Sequence, residues 1–215
     1  LDLTFSSDGI ATCDFPSNYD DRGLCMLVQP DGKILMGGGS HQGTGVKFAL
    51  ARFMPDGSLD ASFGNGGRVA TQVGSPPNLD EAFYALALQP DGKIVAAGRS
   101  YAGNGYLAAV LRYNANGTLD NTFSGDGKQL DNLGAGNDDA YYGVAVQPDG
   151  KIVIGGQTRK TAWRRPALNT MPWWRATRPL ARSMPPSAEM ATRSSTSAWW
   201  TTAPTRWCCS PMGRS

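Results

Sequence analysis

Histidine and glutamate are nearly absent from this chain of 215 residues, which holds one histidine, His41, and two glutamates, Glu81 and Glu189. A single histidine excludes a His-based zinc cage and restricts Ser-His-Asp catalysis to one loop. Because glutamate is so rare, the paired-carboxylate chemistry of a glycosidase would have to rest on aspartates. No run of about 18 apolar residues occurs, which excludes a transmembrane helix within this sequence. The first residues also lack the charged and apolar regions of a secretory signal peptide.

Cysteine is scarce as well, with four residues in the whole chain. Cys13 and Cys25 occur only near the start, where they either pair across neighbouring strands or remain two free thiols. The other two, Cys208 and Cys209, lie in a C-terminal segment of unlike composition. The sequence therefore contains no disulfide framework.

A short block recurs three times along the chain. Residues 88–94 read Leu-Gln-Pro-Asp-Gly-Lys-Ile, and near-copies stand at 28–34 and 146–152, which are 60 and 58 residues away. A second block, Leu-Asp-x-Ser/Thr-Phe, begins at residues 1, 59 and 119, so that the chain opens inside a repeat. A third, apolar block ends in an Asp-Gly or Asn-Gly turn at residues 56–57 and 116–117. Several linked blocks at one period indicate that a supersecondary unit of about 60 residues has been copied.

Each unit is predicted to consist of β-strands. The runs 84–88, 94–97 and 108–113 are short and apolar, and clusters of Gly, Pro, Asn and Asp bound them. Pro90-Asp91-Gly92 is predicted to close one hairpin, and residues 54–57 and 114–117 a second hairpin per unit. Two hairpins give four strands. The sequence therefore predicts an all-β fold, a partial β-propeller of about three four-stranded antiparallel blades, followed by a disordered or irregular C-terminal tail.

The three blocks together resemble the bacterial delta-60 repeat, a propeller-like module of poorly known function. The resemblance covers residues 1 to about 157, as units of about 1–58 and 59–118 and an incomplete unit at 119–157. It implies a large bacterial protein that is secreted or surface-associated, hence an extracellular location, and it carries over no catalytic residues. About three blades do not close a propeller ring, which takes roughly four to eight. We therefore expect exposed blade faces and strand edges, and neighbouring repeats in the intact protein.

Residues 158–215 differ from the repeats in composition. They hold all six Trp, seven of the 14 Pro and one of the 27 Gly, and the net charge changes from −7 before this segment to +9 within it. If each codon is rebuilt from the third base of one residue and the first two of the next, residues 171–177 permit Ala-Leu-Val-Ala-Arg-Tyr and residues 203–215 permit the Gln-Pro-Asp-Gly-Lys turn. We predict that this tail is an out-of-frame continuation without a native fold. No nucleic-acid partner is expected, because the frame slip accounts for both the charge and the tryptophans.

Two acidic residues precede the repeated Gln by eight and nine positions in every copy. If the blades place them on one rim, their carboxylates would form an arc that can hold Ca²⁺ or meet a basic partner. The alternative is a solvated loop whose charges guard the next strand. These low-ranking metal candidates are Asp20, Asp21, Asp80, Glu81, Asp138 and Asp139.

Other polar residues are assigned to structure. The hairpin turns are expected to use an Asx side chain and a glycine of positive φ, at Asp31, Gly32, Asp91, Gly92, Asp149 and Gly150. Arg52 and Arg112 stand at matching positions and are predicted to form buried pairs with Asp60 and Asp120. The glycine-rich stretch 37–45 lacks the end of a phosphate-binding loop and is predicted to be a flexible loop between strands.

The first functional hypothesis is a non-enzymatic propeller module that presents loops to a protein or glycan ligand. The alternative is a propeller-type polysaccharide hydrolase or lyase that uses rim aspartates; a third, weaker reading gives the acidic pairs a structural Ca²⁺ role, with no other cofactor expected. Catalysis on a repeat scaffold concentrates where the copies differ. The differences between these copies are mostly Gly, Ser and Asn, which favours the binding module.

Overall fold

The structure, a computed structural model, describes residues 2–17, 19–43, 45–74, 79–103, 105–134 and 138–159, and the backbone of 180–184. Twelve β-strands and no α-helix are found among these residues. No helix of a length and hydrophobicity that would cross a membrane is found in this described part. The remainder of the tail, residues 160–179 and 185–215, lies outside the described residues, so its predicted disorder stays a prediction.

Two four-stranded antiparallel blades follow one another, each in simple sequential strand order. The first blade consists of β1 (Asp21–Val28), β2 (Ile34–His41), β3 (Gly45–Phe53) and β4 (Arg68–Thr71). A two-residue strand, β5 (Leu79–Asp80), pairs in parallel with the start of β3 and leads into the second blade. That blade consists of β6 (Ala82–Leu88), β7 (Ile94–Tyr101), β8 (Tyr106–Tyr113) and β9 (Lys128–Asp131). The all-β blade architecture predicted from the repeats is confirmed.

The third blade has three described strands, β10 (Asp138–Val146), β11 (Ile152–Arg159) and β12 (Leu180–Met184). β12 lies within the segment for which the sequence predicted irregular structure. Its five residues pair with residues 152–156 of β11 in antiparallel register. Ladder hydrogen bonds join backbone atoms, so an open strand edge accepts a segment whose side chains lack a strand pattern.

The hairpin turns are built alike in all three units. In the second unit the amide of Gly92 donates to the carbonyl of Gln89 over 2.9 Å, and Gly92 adopts a φ of 82°. Asp91 accepts a hydrogen bond from the amide of Lys93 through Oδ1. Asp31 and Asp149 accept the equivalent bond from the residue two places on, and Gly32 and Gly150 both have a φ of 81°. The hydrogen bonds and the positive φ that the sequence predicted for this turn thus all occur within five residues.

The core lies between blades. Strand β7 runs through the middle of the second blade, and its residues alternate between two separate apolar clusters. Ile94 and Ala96 pack with Leu35, Phe48 and other residues of the first blade. Val95 and Ala97 pack with Tyr141, Ile152 and Ile154 of the third. A strand buried on both faces shows a continuous apolar run in place of polar alternation, which explains the sequence Ile-Val-Ala-Ala.

Consecutive units are joined at the outer hairpin of the later blade. Phe63, in the connection between β3 and β4 of the first blade, lies against the backbone at Gly117, with a ring carbon 2.9 Å from the place a Cβ would occupy. The amide of Gly64 donates to the carbonyl of Asn116 over 2.8 Å. Residues Phe5 and Ser6 contact Gly57 and Asp56 of the first blade in the same way. The Leu-Asp-x-Ser/Thr-Phe block is therefore the connection between units.

The first strand of every blade carries a β-bulge. The pairing register shifts at Leu24 in β1, Tyr84 in β6 and Tyr142 in β10, so each of these residues is left without a partner on the next strand. A bulge adds one residue and redirects its side chain. The prediction that the glycine-rich stretch 37–45 is a loop is wrong for its first five residues, which belong to β2. Gly37 and Gly38 among them stand opposite the bulge of β1.

Candidate functional site

The second residue of each acidic pair holds the loop that precedes its blade. Asp21 accepts a hydrogen bond from the amide of Phe15 over 2.8 Å, and Asp139 accepts one from the amide of Leu133 over 2.7 Å. Asp139 is fully buried. Since a buried carboxylate that binds backbone amides fixes a loop, these positions order the entry to the first strand.

Glu81 performs this role in the second unit, where the loop is longer. Eight residues separate Glu81 from Val73, against six in the other two copies. The longer glutamate side chain, fully buried, accepts hydrogen bonds from the amides of Val73 and Gly74 and from the Ser100 hydroxyl. The change from aspartate to glutamate therefore accompanies the longer loop.

The first residues of the pairs point elsewhere. Asp20 is exposed. Asp80 lies 3.5 Å from the guanidinium of Arg99, and Asp138 lies 3.7 Å from that of Arg159. In the described part of the chain, no group of three or more His, Cys, Asp or Glu side chains is placed to hold a metal ion. The Ca²⁺ site stays a prediction, and it would need oxygen ligands other than these pairs.

The predicted arginine–aspartate pairs are confirmed in both complete blades. Arg52 Nε lies 2.8 Å from Asp60 Oδ2, and Arg112 Nε lies 2.7 Å from Asp120 Oδ2, with all four side chains buried. Arg52 also donates to the carbonyl of Ala115 in the second blade over 2.6 Å. These pairs hold the outer hairpin and the next unit in place, so they are structural and not part of a ligand site.

The burial of Asp60 leads to a pH prediction. Burial by itself raises the pKa of Asp60, but hydrogen bonds from Ser62 and the charge of Arg52 outweigh it and hold the pKa at about 2, against an ordinary value of 3.8. A carboxyl whose folded pKa is lowered stabilises the fold above its unfolded pKa and loses that contribution as the pH falls through the folded pKa. For Asp60 the loss amounts to about 2 kcal/mol between roughly pH 4 and pH 2.

Denaturant unfolding at pH 4, 3 and 2 measures this dependence. The free energy of unfolding should fall more steeply for the parent protein than for Asp60→Asn, which has no proton to take up at that position. Equal slopes for the two proteins would show that Asp60 does not couple folding to acid.

A cluster of tyrosines and arginines lies where the second and third blades meet. The rings of the two bulged residues, Tyr84 and Tyr142, have centroids 5.0 Å apart and are tilted by 40°. Tyr142 is 46% exposed, and its hydroxyl accepts a hydrogen bond from the Gln157 amide over 3.1 Å. The bulges therefore place two aromatic rings side by side on the first strands of two blades, and one of the rings is about half exposed.

Arg99 organises the neighbouring part of the cluster. Its guanidinium lies 3.9 Å from the ring centroid of Tyr106 and 5.9 Å from that of Tyr84, both within the range of a cation–π interaction. The hydroxyl of Tyr106 donates to Asp80, which also pairs with Arg99. Tyr101 packs edge-on against Tyr106, with centroids 5.4 Å apart.

Two tyrosine pKa values reflect these contacts. Burial, followed by the hydrogen bond to Asp80 and its negative charge, raises the pKa of Tyr106 to about 12. Burial also raises the pKa of Tyr84, although the charge of Arg99 opposes the rise. Both hydroxyls are therefore neutral at physiological pH and serve as hydrogen-bonding groups, not as bases.

The Tyr–Arg cluster departs from the repeat. We name it by its members, Tyr84, Arg99, Tyr101, Tyr106 and Tyr142, with Asp80 and Gln157. In the first unit the positions of Tyr84, Arg99 and Tyr106 hold Leu24, Gly39 and Val46. The expectation that the copies differ mostly in Gly, Ser and Asn is thus wrong at these positions. A position-by-position comparison of the copies would have found these three substitutions. It would not have shown that the substituted side chains contact one another.

The remaining candidates are isolated. His41 packs against the ring of Tyr19, with centroids 4.5 Å apart. Cys13 and Cys25 are both free thiols, and burial raises the pKa of Cys25 to about 11. A thiol with so high a pKa is protonated and unreactive at neutral pH. Of the alternatives that the sequence left open for these cysteines, the structure shows the unpaired one.

The repeats match one protein family. The model of a β-propeller domain of unknown function (DUF5122) matches residues 29–63, 89–123 and 147–164. Each match begins at the glutamine of the Gln-Pro-Asp-Gly-Lys turn, and the two complete ones end at the phenylalanine of the connecting block. No curated protein matches the chain. These matches support a propeller-like repeat family for the chain, in agreement with the blades of the structure.

Proposed function

We propose that this chain of propeller-like repeats is a non-enzymatic module that binds a glycan or protein ligand through the Tyr–Arg cluster. The single observation that supports this proposal is that the cluster is both partly exposed and absent from the first unit. Side chains that only maintain the blade recur in both complete blades, as the Arg52–Asp60 and Arg112–Asp120 pairs do. A cluster that appears at one blade junction has a different use.

The carboxylates of the described blades argue for binding over catalysis. The alternative enzyme would need an aspartate or glutamate free to transfer a proton or attack a sugar. Asp21, Glu81 and Asp139 instead accept backbone amides, and Asp60 and Asp120 pair with buried arginines. Asp80 is engaged by Tyr106 and Arg99. We therefore assign these groups to holding the scaffold and the cluster.

We further propose that the chain belongs with the bacterial delta-60 repeat proteins that its blocks resemble, and that it acts outside the cell or on its surface. Support comes from the resemblance of the turn, strand and connecting blocks. An extended array of blades presents loops and strand ends at regular intervals, which suits the display of ligand-binding surfaces. Fractionation of cells that carry the complete gene, followed by antibody detection, tests this location.

Binding and catalysis can be separated in one experiment. The full chain is immobilised and challenged with soluble β-glucan, galactan, polygalacturonate, collagen and fibronectin. Retained ligand is measured at equilibrium, and the solution is assayed for new reducing ends and unsaturated sugar products. The proposal expects retention of at least one ligand with no release of product.

Two results would contradict it. Release of reducing ends or unsaturated sugars would favour the polysaccharide hydrolase or lyase. Retention that is identical for the parent and for a Tyr84→Ala, Tyr142→Ala double variant would place binding away from the Tyr–Arg cluster. The double variant should melt near the parent temperature, since Tyr142 is 46% exposed, Tyr84 is only partly buried, and neither belongs to the apolar clusters of the core.

A further inference from the structure

We propose that the ligand of the Tyr–Arg cluster is an uncharged saccharide that stacks on the open ring of Tyr142 and hydrogen-bonds to the polar groups around it. This inference rests on the proposed function and names its ligand class. Three features of the cluster support it: the geometry of its rings, its balance of charges and its polar character.

The ring geometry provides a platform. The half-exposed ring of Tyr142 and the tilted ring of Tyr84 beside it lie at the bulges of two neighbouring first strands. Flat aromatic faces bind the apolar C–H face of a pyranose ring. The ring of Tyr142 packs against that of Tyr84, and Arg99 lies near the ring of Tyr84, so packing positions both rings before a ligand arrives. Such preorganisation lowers the entropic cost of binding.

The charge balance favours a neutral ligand. Arg99 is paired with Asp80, and Arg159 is paired with Asp138, at 3.5 and 3.7 Å. Residues Asp138 and Tyr106 are register partners between β10 and β8, so both ion pairs flank the same tyrosine. Neither arginine is a free cation that would select a uronic acid or a phosphate. Because each arginine is paired with an aspartate, neither positive nor negative charge predominates around the cluster.

The polar character favours a saccharide over a protein surface. The centre of a protein–protein interface is depleted of charged residues, and its aromatic anchors enter apolar pockets. Here Asp80, Arg99 and Gln157 contact the tyrosines of the cluster, and each carries a planar polar group that can bond neighbouring hydroxyls of a sugar. Asp80 and Arg99 keep 39% and 25% of their side chains accessible, which leaves atoms for such bonds.

Leu24 offers a matched control. It occupies the same bulge position in the first blade and is 47% exposed, nearly the same as Tyr142, but its side chain is aliphatic and offers no aromatic ring. Leu24→Ala therefore removes a bulge side chain of similar exposure without removing an aromatic ring. Tyr142→Phe keeps the ring and removes only the hydroxyl that Gln157 bonds.

Isothermal titration of the full chain with soluble β-glucan, galactan and polygalacturonate tests the inference. We expect a neutral polymer to bind, and Tyr142→Ala to weaken it about tenfold or more, because a stacked ring is lost. Tyr142→Phe and Leu24→Ala should stay within about twofold of the parent, a difference far below 1 kcal/mol.

Three results would overturn the inference. The first is tighter binding of polygalacturonate than of either neutral polymer. The second is an unchanged affinity in Tyr142→Ala, or an equal loss in Leu24→Ala. The third is retention of collagen or fibronectin alone, lost in the Tyr84→Ala, Tyr142→Ala double variant; in that case the proposed binding function holds and only the saccharide class fails. If no polymer and no protein is retained, the proposed function fails as well.

Discussion

Replacing Gly98 with alanine should unfold the second blade or destabilise the protein by about 3 kcal/mol or more. A Cβ on Gly98 would lie 1.9 Å from the carbonyl oxygen of Ala82 and 2.9 Å from the Cα of Phe83. Both are backbone atoms of the bulged strand β6, which cannot turn aside as a side chain would. Relief requires that β6 and β7 separate at the bulge, which breaks ladder hydrogen bonds and moves Tyr84.

The same contact exists in every blade. A Cβ on Gly38 would lie 1.8 Å from the carbonyl oxygen of Arg22, and one on Gly156 would lie 2.0 Å from that of Ala140. The glycine opposite the bulge is therefore required by close backbone approach in all three copies. This requirement explains why part of a glycine-rich stretch is strand and not loop.

Thermal melting of Gly98→Ala measures the effect, and Gly143→Ala is its control. Gly143 belongs to β10, but a Cβ there would meet no atom within 4 Å. For a chain of this size we expect the midpoint of Gly98→Ala to fall by about 6 °C or more, and that of Gly143→Ala to change by about 1 °C or less. A melting temperature of Gly98→Ala within about 1 °C of the parent would refute the close contact at the bulge.

Replacing Glu81 with alanine should cost about 3–5 kcal/mol, because one buried and two partly buried donors lose their acceptor together. These donors are the amides of Val73 and Gly74 and the hydroxyl of Ser100, and Glu81 itself is fully buried. The loop before the second blade would lose its attachment to β7. The neighbouring β5 would then lose part of its support against the first blade.

Hydrogen exchange and denaturant unfolding together test this prediction. Protection of the Val73 and Gly74 amides should fall in Glu81→Ala even where the rest of the blade stays protected. Glu81→Gln keeps one acceptor oxygen and should lie between the parent and Glu81→Ala. The control is Asp20→Ala, which removes an exposed first-position carboxylate and should change the free energy of unfolding by less than about 1 kcal/mol. Equal effects for Asp20→Ala and Glu81→Ala would show that the buried glutamate holds nothing in place.

The hairpins illustrate what can be read from local sequence. Pro90 sets the backbone for the turn, Asp91 bonds an amide two residues on, and Gly92 takes the positive φ. All of this happens within five residues, so composition and order suffice. The pairing of Arg52 with Asp60 was also predictable, because the two residues are eight apart and recur at the same spacing.

The acidic pairs illustrate a feature that local sequence does not predict, namely which carboxylate is buried. Asp80 and Glu81 are neighbours in sequence and similar in charge, but one reaches an arginine on the surface and the other is buried under a loop. Neighbouring side chains point to opposite sides of an extended backbone. Which side is the interior depends on the loop and strand packed above it, which the sequence pattern does not specify.

The chain by itself determined the repeat, the strands, the hairpin turns and the antiparallel blade, because each depends on residues close together in sequence or on a period that recurs. The tertiary structure alone decided which carboxylates are buried, which glycines oppose a bulge, and that Tyr84, Arg99, Tyr106 and Tyr142 meet. Those features depend on distances between atoms of different strands and blades. Such distances are fixed only when the apolar faces of neighbouring blades pack and bring distant positions together.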